Sequence, residues 1–331
     1  MRVTVLGAGA WGTALAKVLT EGGNETTLWT WLDEHARAMR EARENREFLP
    51  GVELPRQLKF TCDLNQAVQG AVIVFVVVPS HAVRATLQKA KASLDADVQL
   101  VCASKGIEEG TLNLMTEVME SVVAHAKGSP VAVLSGPSFA KEVARKVPTN
   151  LVAASLSEEL SLSLQQLLSN DWLRVYTSAD PTGVEVGGAL KNVIAIAAGA
   201  CDGLGFGKNT QAALMTRGIA EMGRLTMALG GDFRTVAGLA GVGDLILTCT
   251  GEMSRNRTLG YKLGQGAELE QALSTSDGVS EGYLTAKSAY LLSQKLGVDL
   301  PICQAVYSVL HEGTGIQGAL RTLLSRPLGT E

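Results

Sequence analysis

The stretch Arg2-Val3-Thr4-Val5-Leu6-Gly7-Ala8-Gly9-Ala10-Trp11-Gly12 decides the fold. It opens as a β-rich run and closes on G-x-G-x-x-G, at the entry to the helix-length segment Thr13–Glu21. In that setting each glycine has its own use: Gly7 for a tight turn, Gly9 for close approach of a pyrophosphate, Gly12 for packing helix on strand. The helix start adds free N–H groups and partial positive charge. A dinucleotide site is therefore expected here, against the plainer alternative of a structural glycine turn. Trp11 either flanks the cofactor or packs on the first helix.

Working outward, Thr26–Trp31, Val72–Val78, Gln99–Ala103 and Val131–Ser135 are further strand candidates, and Glu34–Arg43 and Thr111–His125 are helix candidates. Val72–Val78 is apolar on both faces, as in a strand covered by helices on either side. The βαβα order predicts an α/β fold with a doubly wound, Rossmann-type sheet. After Val175-Tyr176-Thr177 strand-like runs become rare, so a helical second domain is expected from Pro181, a residue suited to a first helical turn. This divides the chain into 1–180, a dinucleotide-binding domain, and 181–331, a helical substrate-binding and catalytic domain.

Composition narrows the function. Against 33 Asp and Glu stand 29 Lys and Arg, a net charge of −4, which lacks the basic excess of a nucleic-acid binder. The longest wholly apolar run, Ala71–Val78, is far below the ~18 residues of a membrane span. The start lacks a signal-peptide pattern, which points to the cytoplasm. Five scattered cysteines without C-x-x-C suggest neither a disulfide frame nor zinc.

Lys191 lies in an apolar, small-residue helix, where an ammonium is expensive to desolvate. Burial and a second cation would lower its pKa and suit it to pass a proton to a substrate oxygen, the step that accompanies hydride transfer to a carbonyl. The alternative is a lysine reaching solvent from a helix edge. Asn192 beside it adds a donor and an acceptor. Asp244 and Thr248, four apart, share a helix face; Asp244 either balances a lysine or caps the helix. Ser254-Arg255-Asn256-Arg257 places a hydroxyl, a guanidinium and an amide at a helix start, a phosphate-binding pattern. Lys105, His81 and Gly136-Pro137-Ser138-Phe139-Ala140 each follow a strand, on the edge where doubly wound sheets bind ligands, and Lys105 is placed to meet Lys191. The acidic residue expected ~20 positions after the glycines is missing. Thr30 and Trp31 stand in its place and Asp33 comes late, so NAD and NADP both remain open.

Taken in order, the glycine motif, Pro79-Ser80-His81, Ser104-Lys105-Gly106, Ser135–Ala140, Leu190-Lys191-Asn192-Val193, Gly241-Val242-Gly243-Asp244-Leu245 and Ser254-Arg255-Asn256-Arg257 resemble the NAD-dependent glycerol-3-phosphate dehydrogenase family. The resemblance implies reversible reduction of dihydroxyacetone phosphate to sn-glycerol 3-phosphate by direct hydride transfer, for phospholipid synthesis, in a cytoplasmic homodimer. It makes Lys191 the catalytic proton donor and acceptor, with Asp244, Thr248 and Asn192 around it. Lys105 touches cofactor and substrate, and Gly136 and Ser138 form the substrate loop. Ser254, Arg255 and Asn256 hold the phosphate, with Arg255 also near the cofactor. Ala10, Trp11, Trp31, Ala140, Val279 and Glu281 fall at the other cofactor positions. Trp31 departs from a family tendency to carry a basic residue there. Two rivals are a hydroxy-acid dehydrogenase with a helical second domain and a non-catalytic redox sensor.

Overall fold

The computed structural model describes residues 1–123, 131–274 and 280–327. Its strands, in chain order, are β1 Arg2–Leu6, β2 Glu25–Trp29, β3 Glu44–Asn45, β4 Leu49–Glu53, β5 Lys59–Thr61, β6 Ile73–Val76, β7 Gln99–Cys102, β8 Val131–Ser135, β9 Thr149–Ser155 and β10 Leu173–Ser178. Eight form one sheet in the order β10-β9-β8-β7-β6-β1-β2-β5, while β3 and β4 pair with each other. β1 lies inside the sheet, with Val3 opposite Thr26 of β2 on one side and Ile73 of β6 on the other. Every residue of β6 is buried, which is why its sequence is apolar on both faces.

The sheet is parallel except where β8 meets β9 antiparallel. That reversal, and the strands β5, β9 and β10, go beyond the five strands read from the sequence. The helix between β8 and β9, Ala140–Ala144, has five residues, and the chain comes back alongside β8 in the opposite direction.

The chain divides into two compact units, one of Met1–Ser104 with Met115–Pro181, the other of Lys105–Leu114 with Thr182–Glu331. Each has its own apolar core, the first under the sheet around Val3, Leu15, Leu28 and Phe75, the second around Leu190, Ile194, Leu225 and Leu259. The excursion 105–114 joins the second unit, a departure from a single cut near residue 180. It also displaces the expected helix start at Thr111: Leu112 has φ 64° and Gly110 φ 93°, and Ile107 bridges to Leu114. Helix begins only at Met115 and runs to Val122. The end of that expected helix, at His125, lies outside the described residues.

The second unit is built on the helix Pro181–Gly203, with Pro181 as its first residue. An 18-residue window of it has a mean hydropathy of 1.4, enough by composition and length for a membrane span, yet 83% of it is buried inside the protein, so its apolarity serves the core. Phe233–Thr250 passes the same test at 1.2 and contains Asp244.

Candidate functional site

Lys191 projects from the middle of Pro181–Gly203 and is only 7% exposed, so it does not reach solvent from a helix edge. Its Nζ donates to Asp244 Oδ1 at 2.6 Å and to Thr248 Oγ1 at 2.9 Å. Lys105 Nζ donates to the other carboxylate oxygen, Asp244 Oδ2, at 2.5 Å. Asp244 opens the helix Asp244–Thr250, but its side chain does not cap it; both oxygens face lysines. Thr248, one turn on, donates its hydroxyl to the Asp244 carbonyl at 2.6 Å and so presents a lone pair to Lys191. Close backbone approach sets this geometry. A Cβ on Gly187 would stand 2.6 Å from the Ala240 carbonyl oxygen, so the turn before Asp244 lies directly against the helix one turn ahead of Lys191.

Burial pushes the Lys191 ammonium down, to about 8; Asp244 pulls it back up, and the neighbouring Lys105 lowers it further. Burial alone would raise the Asp244 carboxyl, but the two ammonium groups prevail and hold it below the ordinary carboxylate range. An ammonium has three N–H bonds, and two of Lys191's are used by Asp244 and Thr248. Among the described residues the third has no acceptor, which leaves it for a ligand oxygen.

Arg255–Gly264 is a helix capped by Ser254, whose Oγ accepts from the Arg257 N–H at 3.2 Å. It crosses Pro181–Gly203 backbone to backbone: a Cβ on Gly199 would stand 1.9 Å from the Arg257 carbonyl oxygen, and one on Gly260 1.9 Å from that of Ile196. This register puts Asn256 beside Asn192, with Asn256 Nδ2 donating to Asn192 Oδ1 at 2.9 Å. Arg255 is exposed at the helix start. Arg257 turns instead to Asp202, with Nε and Nη2 at 3.0 and 2.7 Å from Oδ2. Of the two arginines in the motif, Arg255 is exposed and Arg257 is held by Asp202.

Sequence reading did not find Ser280. It occupies the N-cap of Glu281–Leu296 without capping it, donating instead to Asn256 Oδ1 at 2.6 Å. The same oxygen takes the Gly282 N–H at 3.0 Å, so Asn256 caps that helix from outside. Glu281 begins the helix; Val279 lies outside the described residues.

In the first unit β1, β2, β6, β7 and β8 run parallel, so the segments that follow them leave at one edge of the sheet. Gly7 follows β1 with φ 118°, against the Val77 carbonyl; a Cβ on Gly12 would stand 1.8 Å from the Gly7 oxygen. A Cβ on Gly9 would meet nothing within 4 Å, and Gly9 is exposed at the N-cap of Ala10–Glu21. An open glycine at the mouth of a helix fits a pyrophosphate. Ala10 and Trp11 begin that helix and pack partly on the core. Trp31, 76% exposed, lies just past β2. Gly136 has φ 137° and takes the Ser138 hydroxyl on its carbonyl at 3.1 Å, and Ala140 opens the next short helix. His81 is exposed on the turn Ser80–Ala82. Lys105, expected to work from this edge, belongs to the second unit.

Comparison with known proteins identifies the family. Residues 2–161 match the N-terminal model of NAD-dependent glycerol-3-phosphate dehydrogenase and residues 180–321 its C-terminal model. The glycerol-3-phosphate dehydrogenase [NAD(P)+] of Geobacter metallireducens is 50% identical over 325 residues, 98% of this chain and 97% of that protein. That of Citrifermentans bemidjiense is 47% identical over 330 residues, covering 100% and 98%. The crystal structure of glycerol-3-phosphate dehydrogenase from Coxiella burnetii superposes with a TM-score of 0.94 at 39% identity, over 98% of this chain and 99% of that one.

Proposed function

The chain belongs to the NAD-dependent glycerol-3-phosphate dehydrogenase family, and on that premise we propose that it interconverts dihydroxyacetone phosphate and sn-glycerol 3-phosphate with NAD(H) or NADP(H). The observation that carries the reading is Lys191: a buried ammonium, poised at about 8, held on two sides, with a third N–H that finds no acceptor among the described residues. The loop Gly7–Gly12 would hold NAD(P)H, whose nicotinamide would supply the hydride for C2 of the ketone. As charge builds on the C2 oxygen, Lys191 gives it a proton; in the oxidative direction the neutral amine takes that proton back. Asp244 keeps the ammonium in place, and Lys105 on its other oxygen adds positive charge where the alkoxide forms.

Arg255 and Asn256, at the Ser254-capped helix start, take the phosphate, whose anchoring away from C2 restricts the approach of the reacting carbon. Gly136 and Ser138 line the substrate loop by family position. By family position Ala10, Trp11, Trp31, Ala140 and Glu281 would face the cofactor, with Lys105 and Arg255. At the carboxyl end of β2 the exposed Trp31 offers no cation for a 2′-phosphate, which supports NADH as the better reductant. The product serves glycerophospholipid synthesis in the cytoplasm, where the five free cysteines stay reduced, and the working form is a homodimer.

Oxidation of NADH and of NADPH by the purified protein, followed by absorbance with dihydroxyacetone phosphate, tests substrate and cofactor together. Turnover with dihydroxyacetone phosphate and none with 2-oxo acids is the expected result. No turnover with either nucleotide would overturn the reading.

A further inference from the structure

A second asparagine, Asn45, is wholly buried in the first unit and has every hydrogen-bonding valence filled. Its Oδ1 accepts from the Phe48 N–H and from His35 Nε2, each at 3.1 Å. Its Nδ2 donates to the Ala8 carbonyl and to Thr13 Oγ1, each at 2.8 Å. An amide has two donors and two acceptor sites, so nothing is left over. The main-chain donor at Phe48 fixes which end of the amide is oxygen, and so directs the NH2 at Ala8. His35 Nε2 must then carry its proton, and Nδ1 accepts from the Thr30 hydroxyl at 3.1 Å. A closed chain runs from Thr30, just past β2, through His35 and Asn45 to the glycine loop.

Ala8 lies between Gly7 and Gly9. In a trans peptide the carbonyl and the next N–H point opposite ways. With the Ala8 carbonyl drawn inward by Asn45, the Gly9 N–H faces outward, and it has no partner among the described residues. A flip of this peptide would bury the donor and turn a carbonyl oxygen toward an incoming phosphate. Such a flip turns ψ of Ala8 and φ of Gly9, and Gly9 makes it easy because glycine accepts both signs of φ. We propose that Asn45 is a positioning residue for the dinucleotide: with His35 and Thr30 it locks the Ala8–Gly9 peptide in the orientation that receives the pyrophosphate. This rests on the reading that Gly7–Gly12 holds NAD(P).

The test is direct binding to the full-length protein, by fluorescence titration with NADH and competition by ADP-ribose, which keeps the pyrophosphate and lacks the nicotinamide. Asn45→Asp sets an oxygen against the Ala8 carbonyl. Its Kd for both ligands should rise together, about tenfold or more, while the KM for dihydroxyacetone phosphate at saturating NADH stays within twofold. Since a buried carboxylate can prevent folding, His35 supplies a second pair on a half-buried site. His35→Leu removes one donor to Asn45 and should weaken both ligands several-fold; His35→Gln, which can restore that donor, should recover most of the loss. Wild-type affinity in Asn45→Asp or His35→Leu, or equal loss in His35→Leu and His35→Gln, would overturn the proposal. Failure of the wild-type protein to bind NADH would instead bring down the functional reading, and this inference with it.

Discussion

The two units fix their working atoms by opposite electrical means. In the second, Lys105, Asp244 and Lys191 put three charges together with Asp244 1% exposed. In the first, the glycine loop is held by the neutral amide of Asn45. Burying ions carries a penalty of several kcal/mol each, recovered only through good geometry and further hydrogen bonds. That is worth sustaining where a proton has to move, because the same burial brings Lys191 to about 8. Where a backbone has only to keep its orientation, a neutral amide with all its bonds made does so without altering the field around an anionic ligand.

Lys191 should therefore show the largest effect. Lys191→Ala is expected to lower kcat for dihydroxyacetone phosphate by about 10²–10⁴-fold, with the Kd for NADH unchanged. Wild-type turnover would remove charge chemistry from the second unit and dissolve the contrast. Asp244→Asn sharpens it through pH. Reduction needs the protonated lysine, so wild-type kcat should be full below about 8 and fall above it, while the oxidative direction rises through the same range. Without Asp244 the group that raises the Lys191 pKa is gone, and the alkaline limb of reduction should move to lower pH. A limb that stays in place would mean that Asp244 does not act on Lys191. This variant should also unfold more readily, by about 3–5 kcal/mol, because it leaves two ammonium groups without their counter-ion.

The contrast was half legible in the sequence. The glycines, Lys191, Asp244 and Thr248 announce themselves because they break a local rule: glycines at fixed spacing at a helix mouth, a lysine in an apolar helix, an acid and a threonine on one helix face. The parallel core strands show for the same reason, as apolar runs between helices. Asn45, Ser280 and Asp202 break no rule; a polar residue in a loop or at a helix start looks the same whether solvated or wholly bonded. Only the fold brings Asn45 to Ala8, 37 residues away, or Ser280 to Asn256. The reversal at β9 was hidden too, since an apolar run reads the same whichever way its neighbour runs. Lys105 was legible as a residue but not as a member of the second unit, because the excursion 105–114 leaves a segment whose neighbours on both sides belong to the first.

Arg255→Ala probes how the second unit grips an anion away from the proton. Loss of a charge-assisted contact to phosphate should raise the KM for dihydroxyacetone phosphate by about 10–100-fold and change kcat less. An equal fall in kcat with unchanged KM would place Arg255 at the reacting carbon instead, and would extend the charged cluster beyond Asp244.

The smallest effect should come from Ser280, which compares the two asparagines directly. Asn256 Oδ1 has two donors, the Ser280 hydroxyl at 2.6 Å and the Gly282 N–H at 3.0 Å, and its Nδ2 holds Asn192. Ser280→Ala removes one donor and leaves the main-chain one, which no side-chain substitution takes away. Asn256 should therefore keep its orientation with a looser hold, worth about 1 kcal/mol for one hydrogen bond. The expected result is a rise of roughly two- to fivefold in the KM for dihydroxyacetone phosphate, with Lys191's pH limb in place and Ser280→Thr close to wild type. A loss as large as that of Arg255→Ala would show that the hydroxyl, rather than the Gly282 backbone, fixes Asn256. The second unit would then depend on its neutral hub as heavily as the first depends on Asn45.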